Sequence, residues 1–428
     1  SLKQSSEGVA QSASTQSDSS SAMAASIEEM TVSINHISDN ARETEHNSRQ
    51  AAELAVQPGR GASIVQGFPT GGGPMSVHGK PILDRIDWLH DVARRYSAAY
   101  CDPEACLARE LHRARHPTAI AVLKCMDGRI NIPVATHTPL GIIQPFRNLG
   151  GMFDLGWPHL GEVLEHYVRG RLQGGQRVLM LITYHFSRGD AHRSCAGFAY
   201  RTADAVAHVQ GVKAQLEHVF GRRHGSVYPL VCGFETDEDA LILHGAGGET
   251  LDLSTLPADT GCSELSARLQ PLFPDMPQQM LADLARLAAG NLEHVAEVRQ
   301  TDRQLDIEHR EWMICVGRGF DFLHAPNLAL IIGPYSPDLA DPIRKAGGII
   351  AANMASGRIP DDGFLLLASS PYEEIGADRA RAELKARFLA RFAADVIRRE
   401  LPDLAPRMTV RTGVLNWATR ALEGVGEP

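Results

Sequence analysis

Ala119-Ile-Ala-Val-Leu-Lys-Cys125-Met-Asp-Gly-Arg129 joins a mostly aliphatic run to a cysteine, an aspartate and an arginine at alternate positions. A second run, Arg177-Val-Leu-Met-Leu-Ile-Thr-Tyr, leads into His185-Phe-Ser-Arg-Gly-Asp-Ala-His192-Arg-Ser-Cys195. Short aliphatic and β-branched runs of this kind suit strands buried on both faces of a parallel sheet. Binding sites in such sheets form at the carboxyl ends of the strands. Two cysteines and a histidine delivered to that edge supply three zinc ligands and leave a fourth position open, as a catalytic zinc requires.

Working outward, Thr136-His-Thr-Pro-Leu140 and Gln144-Pro-Phe-Arg-Asn-Leu-Gly-Gly151 follow the first run. The spacing predicts a helix over Leu160–Val168, ended by Gly174-Gly175 before the second run, which makes a parallel crossover unit. Further on, Ala203–Val219 reads as a helix, Ser226–Cys232 and Ala240–His244 as strands, and 264–300 as helical. Before the first run, 79–117 reads as a helical segment carrying Ile82, Ile86, Leu89, Val92 and Ala93 on one face.

A second half starts near residue 306. Glu311-Trp-Met-Ile-Cys-Val-Gly-Arg318 echoes Val122–Arg129, and Gly363-Phe-Leu-Leu-Leu-Ala-Ser-Ser370 echoes the run before His185. The spacings are similar, with Cys315 paired to Cys125 and Ser369 to His185. The pattern predicts an internal duplication, with a zinc-binding domain over 118–305 and a degenerate copy over 306–428 that lacks the aspartate, the histidine and the second cysteine. Fold class is therefore α/β, mainly parallel and internally duplicated.

The first 57 residues differ in kind. Met23, Ile27, Met30, Ile34, Ile37 and Ala41 fall at alternating steps of four and three, an a/d seam that predicts a coiled-coil helix. The stretch Ala22–Ala41 resembles the cytoplasmic helix of methyl-accepting chemotaxis proteins. Glu28 and Glu29 stand where methylation acceptors could be, although paired glutamates on a solvated face are common. The Gly- and Pro-rich stretch 58–78 reads as a flexible linker.

Bulk properties narrow the function. The chain has 428 residues, with 42 basic against 51 acidic side chains and a net charge of −9. That balance offers no basic face for nucleic acid or an anionic membrane. No apolar run approaches the roughly 18 residues that span a bilayer. Seven scattered cysteines do not form a secreted disulfide framework, so a reducing cytoplasm is expected.

Taken together, Cys-x-Asp-x-Arg at 125–129, Arg147-Asn148-x-Gly150, and a histidine and cysteine after a buried strand resemble the β-carbonic anhydrases. Thr236-Asp-Glu-Asp-Ala240, Gly319-Phe-Asp-Phe-Leu-His324 and Gly333-Pro-Tyr-Ser336 are similar to the carboxysomal shell branch of that superfamily. The resemblance covers about residues 80–420. It implies reversible hydration of carbon dioxide to bicarbonate at one zinc per chain, held by Cys125, His185 and Cys195. It also implies an oligomer and association with a carboxysome shell. In an extended segment 125, 127 and 129 face one way, so Asp127 would orient the nucleophile and Arg129 would hold Asp127 ionised. Arg147, Asn148 and Gly150 would shape the loop beside the metal.

Two histidines compete for the ligand position. His192-Arg-Ser-Cys195 has the commoner spacing of the family, whereas His185 ends the strand, as in the carboxysomal branch, and a strand end positions a ligand better. His137, His159 and His244, with Cys232, Cys262 and Cys315, read as structural, and Cys101 and Cys106 as ordinary thiols. Two other functions compete with a zinc lyase: a catalytically silent scaffold of the same fold, and a chemotaxis transducer fragment fused to it. A zinc deaminase is disfavoured because its His-x-Glu and Pro-Cys-x-x-Cys signature is missing.

Overall fold

Two sheets share one strand order. In the first, β1 (Ala119–Cys125), β2 (Ile143–Asn148), β3 (Val178–Phe186), β4 (Val227–Glu235), β5 (Ala240–His244) and β6 (Thr250–Asp252) lie in the order β2-β1-β3-β4-β5-β6. In the second, β7 (Met313–Gly317), β8 (Ala329–Ile332), β9 (Phe364–Tyr372), β10 (Met408–Asn416) and β11 (Leu422–Gly424) lie in the order β8-β7-β9-β10-β11. The first four strands of each set pair parallel, and the next turns back antiparallel. The chain is thus mixed α/β with two mostly parallel sheets, each laid down in the same sequence.

This computed structural model describes residues 77–302, 307–320 and 327–426. The coiled coil expected over 1–57 lies outside the described residues, as does the linker expected over 58–78 except for Val77 and His78 in a 3-10 turn. The described residues cluster as one compact unit.

Burial explains the strands. Every residue of β1 is buried, and so are eight of the nine in β3, as expected where helices cover both faces. Helix α1 (Ile82–Cys101) buries Ile86, Leu89, Val92, Ala93 and Tyr96. Asp102 caps α2 (Pro103–Arg115) by accepting the N–H groups of Glu104 and Ala105, with proline at the first helical position. After the short α3 (Ile132–Ala135) come α4 (Pro158–Gln173) and α5 (Thr202–Phe220), which bring Leu160, Leu164, Val168, Val209 and Leu216 into one core with β1 and β3. In the second half, α8 (Ala340–Ala355) and α9 (Ala377–Glu400) cover the sheet.

Sequence expectations meet two corrections here. The helical stretch 264–300 is two helices, α6 (Cys262–Leu272) and α7 (Gln278–Val298), because Pro274 and Pro277 withhold N–H donors where the chain would continue. The echo between Cys315 and Cys125 is out of register. β3 and β9 are both nine residues long, and their first residues, Val178 and Phe364, pair with Val227 and Met408. On that footing Leu123, opposite Ile182, corresponds to Val316, opposite Ala368. Cys315 then sits at the place of Val122, and Arg318 at that of Cys125. Likewise Pro371, not Ser369, holds the place of His185.

The halves interlock. Ile331 donates to Met126 O at 2.9 Å, Asn327 N to Gly128 O at 3.3 Å, and Gly333 N to Arg147 O at 2.9 Å. The β8 segment therefore runs along the loop that leaves β1. A Cβ on Gly128 would lie 2.6 Å from Ala329 O, so the approach depends on glycine.

Candidate metal centre

Cys125 is the last residue of β1, His185 the penultimate residue of β3, and Cys195 lies in the loop after β3. All three are buried, and one ligand atom from each lies within 4.8 Å of the others. Neighbouring parallel strands that end together deliver the first two side chains to one edge. Glycine lets the third approach. Gly150 and Gly151 adopt φ of 65° and 67°, and a Cβ on Gly197 would sit 2.8 Å from Gly150 Cα. The loop of Cys195 thus rests directly on the Gly150 backbone.

The donor chemistry fits a zinc ion. Both ring nitrogens of His185 are buried without a hydrogen-bond partner, a costly arrangement for an imidazole that holds nothing. The two thiols are pushed in opposite directions. A hydrogen bond with Cys195 pushes the Cys125 thiol well up, burial adding to it. Cys195 is drawn down by the same contact, against burial, with help from the N–H groups of Gly197 and Phe198. A cation between them would favour the thiolate form of both, since thiolates are the ligand form.

Asp127 and Arg129 lie beside this cluster, reached by a different geometry from the one expected. Residues 126–129 turn instead of running extended. Arg129 N donates to Asp127 Oδ1 at 2.8 Å, Nε reaches the same oxygen at 3.1 Å, and Nη2 reaches Oδ2 at 2.7 Å. The aspartate folds back on its own backbone, as aspartate does in turns, and the guanidinium grips it with two nitrogens. Burial alone would raise the Asp127 carboxyl, but the Arg129 guanidinium beside it outweighs burial and holds it well below the ordinary carboxylate range. His185 Nε2 stands 3.8 Å from Asp127 Oδ2.

His309 and Glu311, just before β7, enter the site from the second half, and neither was singled out from sequence. Arg129 Nη2 lies 3.1 Å from His309 Nε2, and His309 Nδ1 lies 3.1 Å from both oxygens of the buried Glu311. A guanidinium only donates, so Nε2 accepts and the ring proton sits on Nδ1 facing Glu311. Arg129 also donates to Ile307 O at 3.0 Å and Arg193 O at 2.9 Å, which ties it to the approach to Cys195. No local pattern marks His309, whose distant partners in the site, Arg129 and Asp127, lie 180 and 182 positions away in the chain.

The supporting residues part company. Asn148 donates Nδ2 to Met152 O at 2.8 Å, and its backbone oxygen accepts Met126 N at 2.8 Å, so it braces the chain behind Cys125. Arg147 lines a small cleft with Pro145, Gly317, Arg318 and Tyr335. His192 is at the surface, with 84% of its side chain exposed, and contacts Asp190 Oδ1 at 3.2 Å. It is not one of the three clustered groups. Of the other histidines set aside, His244 meets Tyr184 OH at 2.9 Å and His137 meets Glu293 at 3.1 Å.

No protein-family model matches this chain, and no curated protein matches its sequence. Among solved structures, one titled as the β-carbonic anhydrase CcaA aligns with 39% of this chain and 99% of its own, at 12% identity and a TM-score of 0.27. That likeness is too slight to carry weight beside the strand order and the residue cluster. No helix among the described residues is long and apolar enough to cross a membrane.

Proposed function

We propose that the chain is a zinc-dependent carbonic anhydrase that interconverts carbon dioxide and bicarbonate. The observation that carries this reading is the buried Cys125, His185 and Cys195 cluster, with two unpartnered imidazole nitrogens and an ionised Asp127 within 4 Å of the ring. Those three residues would hold the ion, which when bound supplies a Lewis acid that makes water acidic enough to react near neutrality. The chain's own groups supply direction. Asp127, kept anionic by Arg129, accepts a hydrogen bond from the attacking oxygen and fixes its lone pairs. Arg129 is a positioning residue, since its donors are spent on Asp127, His309 and two backbone carbonyls. Residues 118–305 form the zinc-binding domain in this reading, and 306–428 a degenerate copy without ligands. An oligomeric, cytoplasmic enzyme associated with a carboxysome shell belongs to the same proposal, on the strength of the sequence motifs alone.

The test is metal analysis of full-length protein purified without added zinc, joined to stopped-flow hydration of carbon dioxide. Zinc-dependent hydration, lost on chelation and recovered on adding zinc back, is the expected result. A zinc-loaded protein that leaves the uncatalysed rate unchanged would favour the silent scaffold.

A further inference from the structure

The second sheet has an open edge, and the side chains around it share one charge. β10 pairs with β9 along its whole length, Met408 to Asn416, but with β11 only from Gly413 to Leu415. One more bond, Val425 N to Thr412 O at 2.9 Å, closes the seam. Upstream of Thr412, among the described residues, no strand lies on that side. Main-chain groups alternate in direction along a strand, so those of Val410 turn the same way as Thr412 O. At present Val410 O accepts only the Nη1 of Arg411, at 2.9 Å.

The first half shows how such an edge is normally covered. β5 likewise pairs only with the end of β4, from Cys232 on, yet every residue of β4 is buried. Tyr228 of β4 lies beneath the turn between α6 and α7, its ring 6.2 Å from Phe273 and its hydroxyl 2.8 Å from Asp275 Oδ1. Among the described residues the second half has no counterpart to those helices. Met408–Val410 are only partly buried and Arg411 is exposed.

A cleft of about 730 Å³ follows this edge. Leu367, Ala390 and Ala394 form part of its floor, and Arg387, Arg391, Arg398, Arg411 and His90 stand around it. None of its lining residues is acidic, in a chain whose net charge is −9. Arg387, Arg391 and Arg398 follow one another at four and seven residues along α9 and so share a face. Arg387 Nε is buried without a hydrogen-bond partner, while Arg398 has Asp395 Oδ1 at 2.9 Å in a solvent-exposed pair. Register with Leu367 puts Arg411 on that same side of the sheet.

We propose that this edge binds an extended acidic peptide segment of a partner protein, added to β10 as a further strand. Main-chain bonds to Val410 would supply affinity, and carboxylates at every second position would meet the arginines. The spacings agree. Alternate residues of a strand are about 6.6 Å apart, and four residues of helix, the step from Arg387 to Arg391, rise about 6 Å. An added strand would also remove an edge that otherwise invites aggregation.

Fluorescence anisotropy on the full-length chain tests this with a labelled peptide, Glu-Val-Glu-Thr-Glu-Val-Glu. Saturable binding is expected, weakened about tenfold or more by Arg391→Glu and abolished when the peptide amides that face β10 are N-methylated. Two readouts overturn the proposal: no binding by the wild-type chain, or equal binding of the N-methylated peptide, which would leave only attraction between charges. Arg391 lies outside the metal centre, so zinc content and hydration should be unchanged in the variant. Circular dichroism confirms its fold, and Arg391→Gln, expected to weaken binding less than the glutamate, supplies a second variant.

Discussion

Among single residues, the two histidines are the sharpest case. His185 is buried with both nitrogens unpartnered, and His192 is on the surface beside Asp190. His185→Ala should therefore lose zinc and hydration together, with affinity reduced at least about 100-fold, while His192→Ala keeps both. Metal analysis and stopped-flow hydration check this, and zinc lost from the His192 variant instead would reverse the ligand choice. Arg129→Ala makes a separate prediction. It removes no ligand, so zinc should stay, but Asp127 would lose its clamp and hydration should fall about 100-fold or more. Because the buried carboxylate is left without its partner, stability should also drop, by about 3–5 kcal/mol. Unchanged activity in that variant would sink the role given to the Asp–Arg pair. The alternation of 125, 127 and 129 pointed to this pair in the sequence, but for a reason the structure replaces. A turn closed by Asp127 on the Arg129 amide brings them together, and strand spacing plays no part.

At the scale of elements, the loops decide more than the strands. β1 and β3 were legible because burial on both faces leaves an uninterrupted aliphatic run. The close approaches were not legible, since a glycine's neighbours are fixed only by tertiary contact. Gly128→Ala should clash with Ala329 O, 2.6 Å from the added Cβ. The carbonyl belongs to a strand and moves little, so a loss of about 1–3 kcal/mol is expected, measured by urea unfolding. Wild-type stability in that variant would mean that the β8 contact gives way easily. The loop from Ser187 to Gly189 makes a prediction about pH. Glu235, at the end of β4, accepts N–H groups from Arg188 at 3.1 Å and Glu238 at 2.9 Å. Burial, against those bonds, pushes its carboxyl up from 4.5 to about 7. Between those values the folded chain keeps a proton that the unfolded chain has released, so stability should fall as pH rises from about 4.5 to 7 and then level off. Glu235→Gln should flatten that decline, and thermal melts of both proteins across the range would show whether it does.

Over the whole molecule, the duplication was visible in sequence as an echo, but its alignment was not. Short matches such as Cys-x-x-Arg align letters, whereas the ladder of β7 and β9 aligns backbone, and the two disagree by three residues at Cys315. Buried in mid-strand, with burial pushing its thiol well up, Cys315 is a poor ligand. One zinc per chain is therefore expected from metal analysis, and two tightly bound equivalents including Cys315 would refute the degenerate copy. Contacts between the halves were the least legible part. His309, Glu311 and the β8 segment are near the candidate metal centre only because the chain returns after more than a hundred residues.

That return binds the two halves together. A second half without metal ligands of its own could be expected to be dispensable. Here it presents His309 to Arg129 and lays Asn327–Ile331 along the loop of Asp127. The surroundings of Asp127 and Arg129 are therefore completed by the second half, and a change in either half reaches the other.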